Sequence, residues 1–372
     1  MLPSARRPRP NMTTELQRTS LHALHVDAGA KMVDFSGWHM PLQYAGILAE
    51  HEAVRTRAGV FDVSHMGEVD FVGPRAIDAV QHLIANDMGR IQNGQALYTP
   101  ICTPEGGIVD DCIVYRLTDE RIRVVINAAN IEKDIAHMRA HLLEGCGFED
   151  RCHEFALLAV QGPEAVGIVN ALCDADMADI PSFGLGEAQL AGVSVLAART
   201  GYTGEDGFEL FVARDDAPTV WRALLERDVQ PIGLGARDTL RMEAKLCLYG
   251  NDIDEQTTPL EAALGWTVKL DAGPFVGSEA LAAQKAAGIE RKLVGLRVLD
   301  RGIPRAGWEV HLDGTPVGRV TSGGPAPTLG GSIAMAYVAK QHAQFGNRLT
   351  LTRGRKSLAA EVVKGPFYRR NS

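Results

Sequence analysis

Apolar residues recur along this chain in two rhythms, every second position over short β-branched runs and every third or fourth over longer ones. The first rhythm predicts strands over Val60–Val72 (VFDVSHMGEVDFV), Tyr98–Cys102, Val109–Tyr115, Arg121–Asn127, Glu154–Gln161, Val193–Arg199 and Phe208–Ala213. The second predicts helices over Ile47–Arg57, Pro74–Ala85, Ile131–Leu143, Pro163–Cys173, Ala217–Glu226, Arg237 to about Lys245, and Ser278–Ala287, with a weaker helical pattern over Thr14–Ala30. Lys31–Tyr44 (KMVDFSGWHMPLQY), aromatic-rich and broken by Gly37 and Pro41, reads as an irregular packed loop, and Gly233-Leu234-Gly235-Ala236 as another loop. From about Arg291 the texture changes to short strands set apart by Gly and Pro: Lys292–Val298, Glu309–Leu312, Pro316–Thr321, Ser332–Val338, Arg348–Leu351 and Ser357–Val363. That spacing predicts an all-β barrel or sandwich, while the mixed elements upstream predict two α+β units with antiparallel sheets. No sequence repeat joins the two units.

One stretch breaks its own pattern. In Gly106-Gly107-Ile108-Val109-Asp110-Asp111-Cys112-Ile113-Val114-Tyr115 two adjacent carboxylates interrupt a strand-forming run after a Gly-Gly hairpin turn. Alternation puts Asp111 on one face with Val109, Ile113 and Tyr115, and Asp110 opposite with Cys112 and Val114. One acid then faces apolar surroundings, where lost hydration raises its pKa and suits it to proton handling. A strand start with one Asp capping it and the other solvated fits the same residues.

Composition narrows the class. At 372 residues, 45% hydrophobic and 23% charged, the chain has the make-up of a soluble globular protein of two or three domains. A net charge of -8 gives no electrostatic reason to expect nucleic acid as a partner. No apolar run is long enough to span a bilayer. Cys102, Cys112, Cys146, Cys152, Cys173 and Cys247 form no C-x-x-C pair, which fits a reducing compartment. The first twenty residues hold Arg6, Arg7, Arg9 and Arg18 against the single acid Glu15, slightly like a transit peptide. Pro3, Pro8 and Pro10 oppose an amphipathic helix there, and Met12 is an alternative start, so a cytoplasmic protein is expected, with a mitochondrial matrix location as the alternative.

Several common site types are poorly supported. His137 and His141 lie four apart and His22 and His25 three apart, but no acid or cysteine pattern completes a metal site, and no metal is expected. Gly233–Asp238 lacks the third glycine of a dinucleotide fingerprint, Gly323–Ser332 lacks a phosphate-loop lysine, and no Gly-x-Ser-x-Gly elbow occurs. More informative is Thr200–Leu210. Tyr202, between glycines, offers a flat ring suited to an aromatic ligand. Glu209 points opposite to Phe208 and Leu210, and if it faces inward it can accept paired hydrogen bonds from a ring N–H and an exocyclic amine. Arg237 can anchor a carbonyl or carboxylate, or pair simply with Asp238.

Together these segments resemble the aminomethyltransferase family, the T-protein of the glycine cleavage system. The resemblance runs through KMVDFSGWHMPLQY at 31–44, GVFDVSHMGE at 59–68, GGIVDDCIVY at 106–115, VINAANIEKD at 125–134, RTGYTGEDGFE at 199–209, GLGARDTLRMEA at 233–244 and LYGNDIDEQTTPLEAALGW at 248–266. An iron-sulfur-assembly relative of this fold carries Lys-Gly-Cys-Tyr-x-Gly-Gln-Glu, where this chain has Lys245-Leu246-Cys247-Leu248-Tyr249-Gly250-Asn251-Asp252. The flavin-fused sarcosine and dimethylglycine dehydrogenases need a dinucleotide-binding half that is lacking here.

The resemblance implies three domains arranged as a cloverleaf around a central folate channel. These are a discontinuous α+β domain of residues 1–60 and 150–250, a ferredoxin-like α+β domain of residues 61–149 and 251–288, and a barrel or jelly-roll-like domain of residues 289–372. It implies tetrahydrofolate as co-substrate and lipoylated H-protein as partner, with functional coupling to glycine decarboxylase and dihydrolipoamide dehydrogenase. Carried over by position, Asp111 is the critical acid, Glu209 the pterin-edge acid, Tyr202 a pterin contact and Arg237 the folate-binding arginine. Met66 and Tyr98 match channel-lining positions, Asn127 lies beside them, and Arg369 matches a C-terminal arginine near the folate glutamate tail.

Overall fold

A computed structural model describes residues 15–370, so Arg6, Arg7, Arg9 and Met12, and the readings placed on them, lie outside the described residues. The described residues open with α1 (His22–Asp27) and a hairpin of β1 (Lys31–Phe35) and β2 (Trp38–Gln43). The expected loop over 31–44 is thus a two-stranded sheet. Ser36 and Gly37, at φ 52° and 82°, form the tight turn that the aromatic-rich pattern concealed. The helix expected over 14–30 shrinks to six residues. Then follow α2 (Ile47–Thr56), β3 (Gly59–Asp62), β4 (Gly67–Val72) and α3 (Ala76–Leu83).

The single strand expected over Val60–Val72 is two strands in different sheets. Asp62 is the cause. Its Oδ1 accepts from the Ser64 backbone N–H at 3.0 Å and the Ser64 hydroxyl at 2.5 Å, a local turn that competes with the ladder. The chain bends through Val63–Met66, where the Met66 N–H meets the Val63 carbonyl at 3.0 Å, and enters the second sheet.

That second sheet combines β4 with β5 (Gln95–Cys102), β6 (Ile108–Thr118), β7 (Arg121–Ile126) and, after α4 (Ile131–Ala140), β8 (Gly147–Asp150), in the order β5-β6-β7-β4-β8. Next come β9 (Phe155–Gln161), α5 (Ala165–Leu172), β10 (Leu185–Leu190), β11 (Val193–Ala198), β12 (Gly207–Ala213), α6 (Ala217–Leu225) and β13 (Gln230–Ile232). With β3 they make a six-stranded sheet, β10-β11-β12-β9-β3-β13. The two sheets repeat one plan of strand, helix, three strands, helix, strand in the same spatial order, and the second admits β3 between its last two members. Nothing in the sequence announced this repeat.

Each sheet buries one face under its helices. On α3 the residues Ala76, Ala79, Val80 and Leu83, at helical spacing, sit on Val69, Phe71 and Val114. On α6 Ala217, Val220, Trp221 and Leu224 cover Phe208 and Leu210. The other faces meet each other, with Phe61, Leu157 and Phe211 against Ala96, Tyr115 and Val125. Both faces of the central strands are therefore buried, almost without a break along β4, β7 and β9.

Helix α7 (Leu234–Glu243) starts three residues before the position expected, inside the Gly-Leu-Gly-Ala run taken for a loop. Those glycines serve close approach: a Cβ on Gly233 would lie 2.4 Å from the Leu42 carbonyl carbon, and one on Gly235 would lie 2.6 Å from Ile47 Cδ1. After α8 (Ser278–Ala287), β14 (Arg291–Val298), β15 (Glu309–Leu312), β16 (Thr315–Ala326), β17 (Gly331–Ala339), β18 (Arg348–Arg353) and β19 (Lys356–Val363) close a six-stranded barrel, β14-β17-β16-β15-β18-β19. The fold is thus α+β with antiparallel sheets, save the parallel β3–β13 pair, and a terminal barrel, as the pattern predicted.

The barrel is locked to the rest through buried charge. Arg241 of α7 meets Asp252 at 2.7 Å and Ser322 of β16 at 3.0 Å, and Asp252 also accepts from Thr321 at 2.5 Å. Arg55 of α2 joins Glu243 at 3.0 Å and Glu205 at 2.8 Å, and Thr328 of the barrel donates its N–H to Glu243.

Candidate active site

Asp111 lies on β6 with its side chain between the sheets and the barrel junction, half-buried. Its Oδ2 accepts from the Tyr98 hydroxyl of β5 at 2.9 Å, and its Oδ1 from the Asn127 amide at 3.1 Å. Burial, followed by the charge of neighbouring Asp110, pushes the carboxyl up to about 7 against the pull of these two donors. Tyr98 itself is pushed well above the usual tyrosine range by burial and by Asp111, so it remains a donor.

Asp110 is wholly buried and takes three amide hydrogens: the Asn127 N–H at 2.9 Å, Asn127 Nδ2 at 2.8 Å and Asn130 Nδ2 at 2.7 Å. Ile113 and Tyr115 share the Asp111 face, as expected, but Val109 does not. A bulge between Ile101 and Cys102 in the β5–β6 register turns Val109 into the helix-side core with Cys112 and Val114. The bulge is pinned from outside. Lys133 Nζ donates to the Val109 carbonyl and to the Tyr249 hydroxyl, both at 2.6 Å, and Tyr249 donates to the Ile108 carbonyl at 3.1 Å.

Glu209 on β12 points away from Phe208 and Leu210 into the space between the sheets. The Tyr115 hydroxyl at 3.2 Å and the Thr200 hydroxyl at 2.5 Å both donate to Oε2. Among the described residues no donor meets Oε1, which leaves it for a ligand. Tyr202 donates its hydroxyl to the Cys247 carbonyl, and the Arg237 guanidinium lies over its ring, 4.6 Å from the centroid. Arg237 does not pair with Asp238, which is taken by Arg241 at 2.9 Å. Among the described residues no carboxylate stands within ion-pair distance of Arg237, so its fork of donors is uncommitted.

The structure thus brings Asp111, Tyr98 and Asn127 into one hydrogen-bonded group and Tyr202 and Arg237 into another, with Glu209 in electrostatic reach of Arg237. Tyr202 feels the charge of Asp111 and links the groups. Met66, half-buried, packs beside Ile113, Tyr115 and Val125. Arg369 stands apart: it is exposed, and its neighbours Tyr368 and Arg370 engage Arg55 and Asp206 instead.

Sequence reasoning missed Trp266. It is 61% exposed yet stacks on Tyr98 with centroids 6.0 Å apart, and its only signal was its place at the end of the 248–266 motif. The paired histidines resolve as packing: His25 is fully buried on Asp62 at 2.8 Å, and the His137 and His141 rings lie 4.4 Å apart. Among the described residues no group of three potential metal ligands occurs.

Comparison with known proteins agrees in both parts of the chain. Residues 21–272 match the GCVT N-terminal domain, and residues 291–369 match the glycine cleavage T-protein C-terminal barrel domain. The chain is 46% identical over 364 residues to an aminomethyltransferase of Halalkalibacterium halodurans, covering 96% of this chain and 100% of that one. It is 50% identical over 357 residues to that of Rubrobacter xylanophilus, covering 95% of each. The crystal structure of the glycine cleavage system aminomethyltransferase T from Bartonella henselae superposes with a TM-score of 0.90 at 35% identity, over 95% of this chain and 98% of that one. With both domain types present in order and such likeness over nearly its full length, the chain belongs to the glycine cleavage T-protein family, the aminomethyltransferases.

Proposed function

We propose that this chain transfers the one-carbon unit of the aminomethyl-dihydrolipoyl arm of an H-protein to tetrahydrofolate, releasing ammonia and forming 5,10-methylenetetrahydrofolate. The observation that carries the reading is Asp111, an acid poised near neutrality and joined through Tyr202 to an uncommitted arginine, with a carboxylate bearing a free oxygen in reach of that arginine. Glu209 Oε1 can accept from the pterin edge, Tyr202 offers its ring face, and Arg237 supplies donors to an anionic or carbonyl group. Met66, Tyr98 and Asn127 line the approach, and Arg369 is reserved for the glutamate tail. In this reading three domains, assigned as residues 1–60 with 150–250, residues 61–149 with 251–288, and residues 289–372, surround a folate channel.

The transferred carbon gains bonds to N5 and N10 and loses those to nitrogen and sulfur. The two displaced folate protons leave on ammonia and on the lipoyl thiol. Asp111, as the carboxylate, opposes the positive charge that develops on this carbon and relays a proton. Holding both substrates at attack distance supplies the remainder. The setting is cytoplasmic, with glycine decarboxylase and dihydrolipoamide dehydrogenase loading and reoxidising the lipoyl arm.

The test is ammonia release from aminomethylated H-protein, with and without tetrahydrofolate. Folate should accelerate release in the wild type. Asp111→Asn should lose that acceleration, by two or more orders of magnitude on the scale of a lost acid–base group, while folate binding persists. An inactive wild type that still binds folate would turn the reading to a folate-binding protein without catalysis, and a fully active Asp111→Asn would unseat the acid.

A further inference from the structure

Behind Asp111 lies a second pair of acids. Asp134 on α4 is 1% exposed, and among the described residues neither of its carboxyl oxygens meets a donor. A carboxylate buried without donors or a cation is among the costliest arrangements a protein can hold. The nearest ammonium is Lys133, and its hydrogens are spent on the Val109 carbonyl, the Tyr249 hydroxyl and, at 3.4 Å, Glu255. What Asp134 does face, within hydrogen-bond reach, is the carboxyl of Asp110. The two are unequal: Asp110 collects three amide hydrogens and Asp134 none.

We propose that Asp134 carries a proton in the folded protein and donates it to Asp110, which makes it a positioning residue for Asp111. The anion then resides on Asp110, where the Asn127 and Asn130 amides stabilise it. The fourth hydrogen bond, from the Asp134 O–H, completes its shell. Asp110 in turn fixes the Asn127 side chain, whose Nδ2 reaches Asp111 Oδ1 and the Asp111 carbonyl. Burial and the Asp110 charge push Asp134 up to about 11, in the direction that the geometry demands. The other titratable groups facing this cluster are Tyr98 from β5, Cys112 from β6, Lys133 from α4, Tyr202 from its loop, and Cys247 and Tyr249 from the segment after α7.

Two substitutions test it on the full chain. Asp134→Asn keeps a donor toward Asp110, and Asp134→Ala removes it. At pH 8 the infrared spectrum of the wild type should hold a protonated-carboxyl C=O band that is lost in Asp134→Asn, while the band of the other donorless buried acid, Glu68, remains. The pH midpoint of ammonia release should stay in place in Asp134→Asn. In Asp134→Ala it should rise by about one unit, because Asp110 loses the donor that drew off part of its charge and presses harder on Asp111, and kcat should drop more than KM changes. The proposal is overturned if the infrared band survives in Asp134→Asn, or if both variants lower the midpoint alike, the result expected for an ionised Asp134. The kinetic arm rests on the transferase reading; the infrared arm does not, and decides the proton even if no ammonia is released or Asp134→Ala fails to fold.

Discussion

Asp111 is held in a state that costs the fold stability. A carboxyl whose pKa rises on folding binds its proton more tightly in the native state, so stability falls as pH climbs from the unfolded value near 3.8 to about 7. Asp111→Asn removes that loss. The variant should be more stable than the wild type by about 1–3 kcal/mol at pH 8 and nearly equal to it at pH 4, in urea unfolding at each pH. The same titration should govern activity, with the wild-type rate falling as pH drops through about 7 while the carboxylate is lost. The sequence made this residue legible because alternation alone separates Asp110 from Asp111. It hid Val109, since a bulge leaves no mark in a β-branched run. It hid the service of Asp110 too, because amide donors such as Asn127 and Asn130 arrive from a different segment.

Among the elements, the hairpin carrying Asp111 depends on a glycine. A Cβ on Gly107 would stand 1.9 Å from the Glu255 carbonyl oxygen, while the Ile108 N–H bonds the Asp254 and Thr257 carbonyls. Gly107→Ala must push residues 254–257 off β6, and should cost about 2–4 kcal/mol in thermal unfolding and reduce activity with it. Arg55→Ala acts between elements. It leaves Glu205 and Glu243 buried without their partner, and should cost about 3–5 kcal/mol, with Arg55→Lys recovering only part because the fork reaches both acids at once. Strand and helix identities were mostly legible from period. Strands β8, β10 and β13 carried no sequence prediction; three other exceptions share one cause, since Ser36-Gly37, Asp62-Ser64 and the glycines of α7 act through turn chemistry or close approach, which hydrophobic rhythm does not record.

For the whole molecule, the barrel has its own core around Leu296, Val310, Leu351 and Val362, yet is tied to α7 through Arg241 and Asp252. Removing the acid leaves Arg241 only the half-exposed Asp238 as an ionic partner and takes the acceptor from the Thr321 hydroxyl at the seam. Asp252→Ala should split a single calorimetric transition into two, the barrel melting apart from the paired sheets. The six barrel strands were legible because they are bounded by turn residues, although β16 runs on to Ala326, beyond its predicted end at Thr321. The doubled plan of the two sheets was not, because it is kept in topology while the side chains differ.

The insertion of β3 between β9 and β13 also orders the life of the chain in time. Strand β3 is among the first to leave the ribosome, but its partners end only at Ile232. At about 5–20 residues per second it waits on the order of ten seconds or more with Val60 and Phe61 unsheltered, while the β4–β8 sheet can already close beneath it. Ribosome-tethered chains ending near residue 150 should therefore show hydrogen-exchange protection in β4–β7 and none in β3, and should be the form that chaperones hold.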